Sequence, residues 1–191
     1  MPKSAIIAIS RILITAVVVF GLPYILSLLL NKADVKTKLR TYRIVFGVYI
    51  VAILIITLAV RTYDNEIGVI TDITWAYRQI FDAMRKGYEV GGIMEAIKRI
   101  HWVRGTVSSL ILNVLLFVPL GYLLPLNSGR YRRWWKVLLT GMAFSLCIET
   151  MQYLSHLGWF DISDPVYNGL GAWVGYRHFQ RLMAKETPED G

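Results

Sequence analysis

The sequence predicts an all-α protein, a polytopic membrane helix bundle of about five transmembrane helices with an amphipathic helical segment between the second and third. Hydrophobic residues make up 55% of the 191 residues and charged residues only 18%, and the mean hydropathy is +0.47. A soluble domain carries about 25% charged residues. Long apolar stretches and basic residues grouped between alternate stretches complete the evidence for this fold class.

Four apolar stretches reach the ~20 residues that a helix needs to cross the hydrocarbon core of a bilayer. They cover residues 12–30, 44–60, 107–126 and 137–154. A fifth stretch, 165–176, spans only ~18 Å at the helical rise. Extension to 162–179 brings it near the required length, because the side chain of Arg177 can reach the interface. We therefore predict five spans.

The formal net charge of +8 follows the positive-inside rule, so it does not indicate a nucleic-acid partner. The basic residues after the first, third and last spans are Lys32, Lys36, Lys38, Arg40 and Arg43; Arg130, Arg132, Arg133 and Lys136; and Arg177, Arg181 and Lys185. The 155–165 loop has no Lys or Arg. With five spans, all three of these groups of basic residues lie in the cytoplasm if the N-terminus lies outside and the C-terminus inside.

The chain divides into two N-terminal spans (1–60), an amphipathic segment (61–105), a three-helix core (106–180) and a cytoplasmic tail (181–191). Within the amphipathic segment, apolar residues recur at helical spacing over 72–86 and 92–103. Thr71 or Asp72 is the predicted N-cap of the first helix, and Gly87 is its predicted stop. Such helices lie in the membrane interface or cover the mouth of a bundle, and the sequence leaves both arrangements open.

Small and polar residues form one stripe on each of the last three spans. The stripes are Asn113, Phe117 and Gly121; Gly141, Ser145, Glu149 and Gln152; and Asp164, Asn168, Gly171 and Gly175. Counted from the outer helix ends, the polar members lie at similar depths of ~6–9 Å. The G-x-x-x-G step in the last stripe lets another helix approach closely. We predict that the stripes pack together around a polar pocket that opens outward.

The predicted ligand-binding residues are the polar members of the stripes and the acids of the outer loop. They are Asn113, Glu149, Gln152, Asp161, Asp164 and Asn168. An intramembrane carboxylate indicates a substrate or ion path, and this set is compatible with acid–base catalysis, cation or amine binding, or proton coupling. The alternative is that the residues only form interhelical hydrogen bonds, with Glu149 protonated as a donor.

Other groups of residues give weaker evidence for a functional site. His156, Asp161 and Asp164 are hard-ligand types, but the chain has no H-E-x-x-H motif and no paired cysteines, so we predict neither a metal nor a cofactor. The single cysteine, Cys147, lies within the fourth span and excludes an intrachain disulfide. We interpret it as a small packing residue.

Three segments resemble the signature blocks of the VanZ-like family, which takes its name from a teicoplanin-resistance protein. They are NVLLFVPLGYLLPL at 113–126, IETMQYL at 148–154 and FDISDPVYNGLGAWVGY at 160–176. The first 105 residues match only in being hydrophobic. The family commonly has an arginine a few residues before the first aspartate, whereas this chain has Gly158 and Trp159 there, so the salt bridge implied by the family pattern lacks its cation.

The resemblance implies a bacterial inner-membrane protein connected with the cell envelope and with glycopeptide resistance, but it implies no reaction. One hypothesis is a non-enzymatic factor that binds membrane lipids, a lipid-linked cell-wall precursor or a glycopeptide. A second is a membrane hydrolase or transferase that uses Glu149 with Asp161 or Asp164 as acid and base. A third is a subunit that scaffolds a partner protein. Whether the protein is an enzyme stays open.

Overall fold

The computed structural model describes residues 32–59, 65–100 and 104–186, together with Gly21, Leu26, Leu30 and Tyr63. The helices are α1 (Val35–Leu54), extended by a π-helical turn (Ile55–Ala59), α2 (Trp75–Ile100), α3 (Arg104–Asn127), α4 (Trp134–Leu154) and α5 (Asp164–Glu186), with a short 3₁₀ helix (Gly129–Tyr131) between α3 and α4. Because helices account for most of the described residues, the all-α prediction is confirmed.

Among the described residues, three helices are long and apolar enough to cross a membrane. They are Val35–Leu58, Gly105–Asn127 and Trp134–Leu154, and they correspond to the predicted spans at 44–60, 107–126 and 137–154. The predicted span at 12–30 lies almost wholly outside the described residues. Helix α5 is not one of the three, because charged residues from Arg177 onward shorten its apolar part. The five-span arrangement therefore stays a prediction.

Helix α1 begins at Val35, earlier than the predicted start at residue 44, because Asp34 caps it. The Asp34 carboxylate accepts hydrogen bonds from the backbone N–H groups of Lys36 (3.1 Å) and Thr37 (3.3 Å). Hydrogen bonds from Thr37 hold the pKa of Asp34 below its ordinary value. The basic group at 36–43 therefore lies on the first turns of a helix rather than in a loop.

Helices α3 and α5 run parallel and approach each other through glycines. Gly171 lies against the carbonyl of Val114, and Gly175, one turn later, lies against the carbonyl of Val118. Gly121 lies against the backbone of α5 in the same way. A Cβ at any of these three glycines would overlap backbone of the other helix, so the predicted close approach at the G-x-x-x-G step is confirmed.

Helix α4 packs antiparallel to α5. A Cβ added at Gly141 would lie 2.8 Å from the Cβ of Ala172, and Gly141, Ser145, Glu149 and Gln152 are all buried. The predicted stripe on this helix therefore faces the bundle. Cys147 is exposed, so its interpretation as a packing residue is wrong: it lies on the opposite side of α4 from the stripe.

Helix α1 runs antiparallel to α3 and is tied to it at two levels. The hydroxyl of Tyr49 donates to the carbonyl of Leu116 (2.8 Å), and the Asn127 amide donates to the carbonyl of Tyr42 (3.3 Å). The hydrophobic core between the helices is filled by side chains such as Phe117, which is fully buried. Helices α1 and α4 thus run in one direction, and α3 and α5 run in the other.

Helix α2 is a hairpin of two helical arms. Its backbone leaves helical geometry at Gly91 (φ −155°, ψ 24°) and Gly92 (φ 69°, ψ −158°), and the positive φ at Gly92 favours glycine. A Cβ added at Gly87 would lie 2.5 Å from the Cα of Ala96, so the arms fold against each other there. The two predicted amphipathic helices are present, but Gly87 as the stop is wrong: it is the contact between the arms.

One face of the hairpin is apolar and exposed. The first arm presents Tyr77, Phe81, Met84 and Tyr88 on one stripe, and the second arm presents Ile93, Met94 and Ile97. These side chains are between 43% and 72% exposed. Large apolar side chains exposed in such numbers are typical of surfaces that meet a membrane or another protein.

Two short strands, which the sequence did not predict, join distant parts of the chain. Strand β1 (Val69–Ile70) pairs in parallel with β2 (Phe160–Asp161). Phe160 N–H donates to Gly68 O (2.9 Å), and Ile162 N–H donates to Ile70 O (3.1 Å). The segment before α2 therefore lies at the same end of the bundle as the α4–α5 loop. We call this the strand end, and the opposite end, with the 3₁₀ helix and its arginines, the basic end.

Candidate functional site

The carboxylate of Glu149 holds the α4–α5 loop in place. Its side chain is only 4% exposed, and its Oε2 accepts a hydrogen bond from the backbone N–H of Asp161 (3.0 Å). Two predicted site residues are thus in direct contact, although the contact uses the backbone of one of them.

The Asp161 carboxylate accepts three hydrogen bonds. Oδ2 accepts from the indole N–H of Trp75 (2.8 Å), and Oδ1 accepts from the backbone N–H (2.8 Å) and the hydroxyl (2.6 Å) of Ser163. Ser163 is fully buried, and its own carbonyl accepts from the N–H of Tyr167 (3.1 Å) in the first turn of α5. Asp161 therefore connects the start of the hairpin to the start of α5.

Gln152 lies one turn beyond Glu149 and contacts α1. Its Nε2 donates to the carbonyl of Thr57 (2.8 Å), which lies in the π-helical turn Ile55–Ala59. A π-helical turn alters the regular hydrogen bonding of a helix, and such turns are frequent at functional sites. The side chain of Gln152 is 1% exposed, and its Oε1 is buried with no hydrogen-bond partner among the described residues.

Asn168 and Ser145 join α5 to α4 below Glu149. The Asn168 Nδ2 donates to the hydroxyl oxygen of Ser145 (2.6 Å), and both side chains are buried. The Oδ1 of Asn168, like the Oε1 of Gln152, is buried and has no hydrogen-bond partner among the described residues. A buried amide oxygen without a partner costs ~1–3 kcal/mol, and in a native protein such an atom calls for an explanation such as a ligand or water.

Two predicted site residues have less direct links to this set. Asn113 is partly buried, and its Nδ2 has no partner among the described residues. Asp164 is the first residue of α5, where the N-terminal end of the helix favours a carboxylate.

The ring of Tyr167 in α5 contacts the ring of Tyr77 in the hairpin edge to face, with centroids 5.9 Å apart. We refer to Ser145, Glu149, Gln152, Asp161 and Asn168 as the polar cluster.

A sequence model of the VanZ/LLP1 family matches residues 12–183, which is most of the chain. The chain belongs to the VanZ/LLP1 family. No curated protein and no solved structure matches it. The family match is longer than the resemblance in the sequence blocks at 113–176, and it includes the amphipathic segment, so the hairpin belongs to the part of the chain that the family model matches.

The VanZ/LLP1 blocks are brought together by the fold. The blocks at 113–126, 148–154 and 160–176 contribute α3, the end of α4, and β2 with the start of α5. At the position where the family pattern has an arginine, Trp159 packs on Gly68: a Cβ there would lie 2.5 Å from its ring. The donor to Asp161 comes instead from Trp75, so a neutral hydrogen bond occupies one carboxylate oxygen.

The sequence did not single out three residues that contact the polar cluster, namely Trp75, Thr57 and Ser163. Ser163 stands two residues after Asp161, a spacing typical of a carboxylate that bonds the backbone N–H two residues on. Thr57 and Trp75 carry no such local signal, because their partners lie 95 and 86 residues away in the sequence.

The histidine of the α4–α5 loop has a packing contact. The ring of His156 stacks on that of Tyr63, with centroids 5.3 Å apart and planes at 18°, and its backbone has a positive φ of 55°. Within the part of the chain that the structure describes, no group of three or more His, Cys, Asp and Glu side chains is arranged to hold a metal ion.

Proposed function

We propose that this protein is a multi-pass protein of the bacterial cytoplasmic membrane whose polar cluster binds the headgroup of an envelope lipid or of a lipid-linked cell-wall precursor, and that it thereby contributes to resistance to teicoplanin-type glycopeptides. The observation that carries the proposal is the presence of buried polar atoms without partners among the described residues. Three of these atoms belong to the predicted stripes, namely Gln152 Oε1, Asn168 Oδ1 and Asn113 Nδ2. A bound headgroup supplies the hydrogen bonds that these atoms lack.

The distribution of basic residues between the two ends of the bundle supports an outward-facing site. At the basic end, the hydroxyl of Tyr176 donates to the carbonyl of Arg132, next to a run of cationic side chains. At the strand end, the 155–165 loop contains no Lys or Arg, and the hairpin at this end carries both signs of charge, as in the Arg78–Asp72 ion pair. Because basic segments are retained in the cytoplasm, the strand end faces outward, with the N-terminus outside and the C-terminus inside.

The hydrogen bonding supports binding over acid–base catalysis. A carboxyl group acts as a general acid or base only when it lies within reach of a substrate proton. One oxygen of Glu149 accepts a backbone N–H, and both oxygens of Asp161 accept protein donors. These carboxylates therefore hold the loop in position, while the amide oxygens beside them are available to a ligand.

The hairpin supports access from the side of the bundle. Its first arm contacts the cluster through Trp75 and packs Tyr77 edge to face against Tyr167, while its apolar stripe is exposed. An amphipathic helix with such a face lies in the interface with its apolar side in the acyl region. A lipid headgroup that enters beneath the hairpin would reach the cluster without its acyl chains leaving the bilayer.

The test is complementation of a deletion strain with a variant of Glu149 in the cluster and a variant of Asp164 at the start of α5. Glu149→Ala and Asp164→Ala should reduce teicoplanin resistance to the level of the deletion strain, because they remove acidic groups at the proposed site. Thr150→Ala is the matched control: Thr150 is an exposed neighbour whose hydroxyl bonds the carbonyl of Leu146 in its own helix. Immunoblots of membrane fractions confirm insertion of each variant. Full resistance with both inserted variants would refute the proposal.

A further inference from the structure

We infer that the basic end of the bundle binds anionic phospholipids of the leaflet that surrounds it. Lys and Arg side chains hold the phosphate, and the acyl chains lie along the apolar helix faces next to them. This site is at the opposite end of the bundle from the polar cluster, and the inference does not depend on what that cluster binds. It is carried by cations without carboxylate partners, by their convergence from three segments, and by the exposed apolar stripes that continue from them.

The cations of the basic end are not neutralised by acids of the same segments. Residues 32–43, 128–136 and 177–181 contain five, four and two Lys or Arg residues. Asp34 is the only acid in these segments, and its carboxylate accepts from backbone N–H groups at the start of α1. The ion pairs among the described residues all lie at the hairpin; they are Arg78–Asp72, Arg85–Glu89 and Lys98–Glu95. The basic end therefore presents a positive potential to an anion.

Tertiary contacts bring the three basic segments together. The Asn127 amide, just before the 3₁₀ helix, donates to the carbonyl of Tyr42 in α1 (3.3 Å), and the Tyr176 hydroxyl of α5 donates to the carbonyl of Arg132. The side chain of Tyr131 packs against the hydrophobic core, which fixes the loop to the bundle. The positive-inside rule requires only that basic residues occur in loops on one side of the membrane. It does not require that segments 85 residues apart form one surface.

Helix α1 places its cations above a lipid-facing surface. Lys36, Arg40 and Arg43 are exposed and follow at spacings of four and three, so they lie on one face of the helix. Apolar side chains that are between 51% and 65% exposed continue this face, namely Ile44, Val48, Val51 and Ile55. Cations beside an exposed apolar stripe match the headgroup and the acyl chain of one phospholipid.

Helices α4 and α5 repeat this arrangement, with tryptophans at the level of the cations. The Lys136 ammonium lies 5.5 Å from the ring centroid of Trp135, and the Arg177 guanidinium lies 5.9 Å from that of Trp173. Both rings are exposed, and tryptophans of membrane proteins concentrate at the headgroup level. The cations therefore lie where lipid phosphates lie, which favours a phospholipid over a soluble phosphate.

The charge of the surface favours an anionic lipid over a zwitterionic one. Lys and Arg are the residues that bind phosphate, and Arg does so with two parallel hydrogen bonds. A zwitterionic headgroup also brings an ammonium group, which the same cations repel. Each Lys or Arg near an anionic lipid surface increases binding about fivefold. Removal of three cations should therefore lower the affinity for an anionic lipid by at least about tenfold.

The experiment measures lipid binding to the purified full chain by native mass spectrometry. The probes are phosphatidylglycerol and phosphatidylcholine with identical acyl chains, so that only the headgroup differs. Phosphatidylglycerol should bind at least about tenfold more tightly, and equal binding of the two lipids would overturn the inference. Soluble glycerol 3-phosphate at the same concentration should not displace the lipid, because it lacks acyl chains. Its displacement of phosphatidylglycerol would identify a soluble phosphate as the occupant and would also overturn the inference.

Two triple variants each remove three cations from the basic end, and a third removes three from the hairpin as a matched control. They are K36Q/R40Q/R43Q in α1, R130Q/R132Q/R133Q in the loop, and R78Q/R85Q/K98Q in the hairpin. The first two should lose affinity for phosphatidylglycerol and keep that for phosphatidylcholine, whereas the control should keep both, because its cations face carboxylates. Unchanged affinity in both basic-end variants, or an equal loss in the control, would contradict the assignment. The wild-type comparison is decisive even if a variant does not fold.

This inference and the proposed function can fail separately. If Glu149→Gln loses the preference for phosphatidylglycerol while both basic-end variants keep it, the lipid binds at the polar cluster, which overturns the inference and leaves the proposed function standing. If the basic-end variants lose the preference while inserted variants of Glu149 and Asp164 keep full teicoplanin resistance, the proposed function is refuted and the inference stands.

Discussion

Replacement of Gly171 by alanine tests the packing that brings α5 to the polar cluster. A Cβ at Gly171 would overlap the carbonyl of Val114 and lie 3.2 Å from the Cβ of Phe117. The first obstacle is helix backbone, which cannot rotate away as a side chain can. Helices α3 and α5 would have to separate by ~1 Å to restore ordinary contact, because protein interiors hold few voids that could absorb the added atom.

The expected destabilisation follows from two opposing contributions. Overpacking costs typically ~1–3 kcal/mol, and we expect about 3 kcal/mol because the separation also loosens the contacts of Gly121 and Gly175. Alanine in place of glycine stabilises a helix by about 1 kcal/mol. The free energy of unfolding should therefore fall by about 2 kcal/mol, which corresponds to a decrease in Tm of ~4–8 °C for a chain of this length.

Thermal unfolding in detergent, followed by size-exclusion chromatography after heating, measures this change. Gly47→Ala is the matched control, because Gly47 lies in α1 and a Cβ there would meet nothing within 4 Å. That variant should keep or slightly raise the Tm. If Gly171→Ala and Gly47→Ala unfold at the same temperature, the close approach of α3 and α5 is not what stabilises the bundle.

Three further outcomes are expected. Trp75→Phe keeps an aromatic ring but removes the indole N–H that donates to Asp161, so hydrogen exchange at the backbone amides of the β1–β2 pair should be at least about tenfold faster; unchanged exchange would mean that this hydrogen bond does not hold the hairpin. A cysteine at Ser155 in a Cys147→Ala background should react with an impermeant maleimide in intact cells, whereas reaction only after lysis would place the strand end in the cytoplasm. Glu149→Gln should insert and fold, yet reduce glycopeptide resistance. Full resistance would mean that Glu149 only forms structural hydrogen bonds.

The sequence predicted the parts of the site that depend on helical periodicity. The stripe on α4 is buried as predicted. Residues three and four apart share one face of a helix, and in apolar surroundings a polar face is stable only when it turns toward the interior of the bundle. The close contact of Gly171 with α3 follows from the same argument. Both features are encoded within one turn or two of a single helix.

The details of hydrogen bonding could not be predicted in this way. The six predicted site residues suggested carboxylates facing a common pocket, but Glu149 accepts from the backbone of Asp161, and Asp161 is occupied by Trp75 and Ser163. Which oxygen meets which donor depends on the path of the loop. That path is set by the pairing of β1 with β2, between residues about 90 positions apart.

By itself, the sequence determined the apolar helices and the stripe on α4, because hydropathy and helical spacing act over short distances along the chain, and its three signature blocks carried the resemblance to the VanZ-like family. Tertiary structure alone decided that the hairpin at Trp75 closes against the α4–α5 loop and that the π-helical turn at Thr57 orients Gln152. Both depend on contacts between segments that are far apart in sequence. Such contacts form only when packing brings unpaired hydrogen-bonding groups of different helices together away from water.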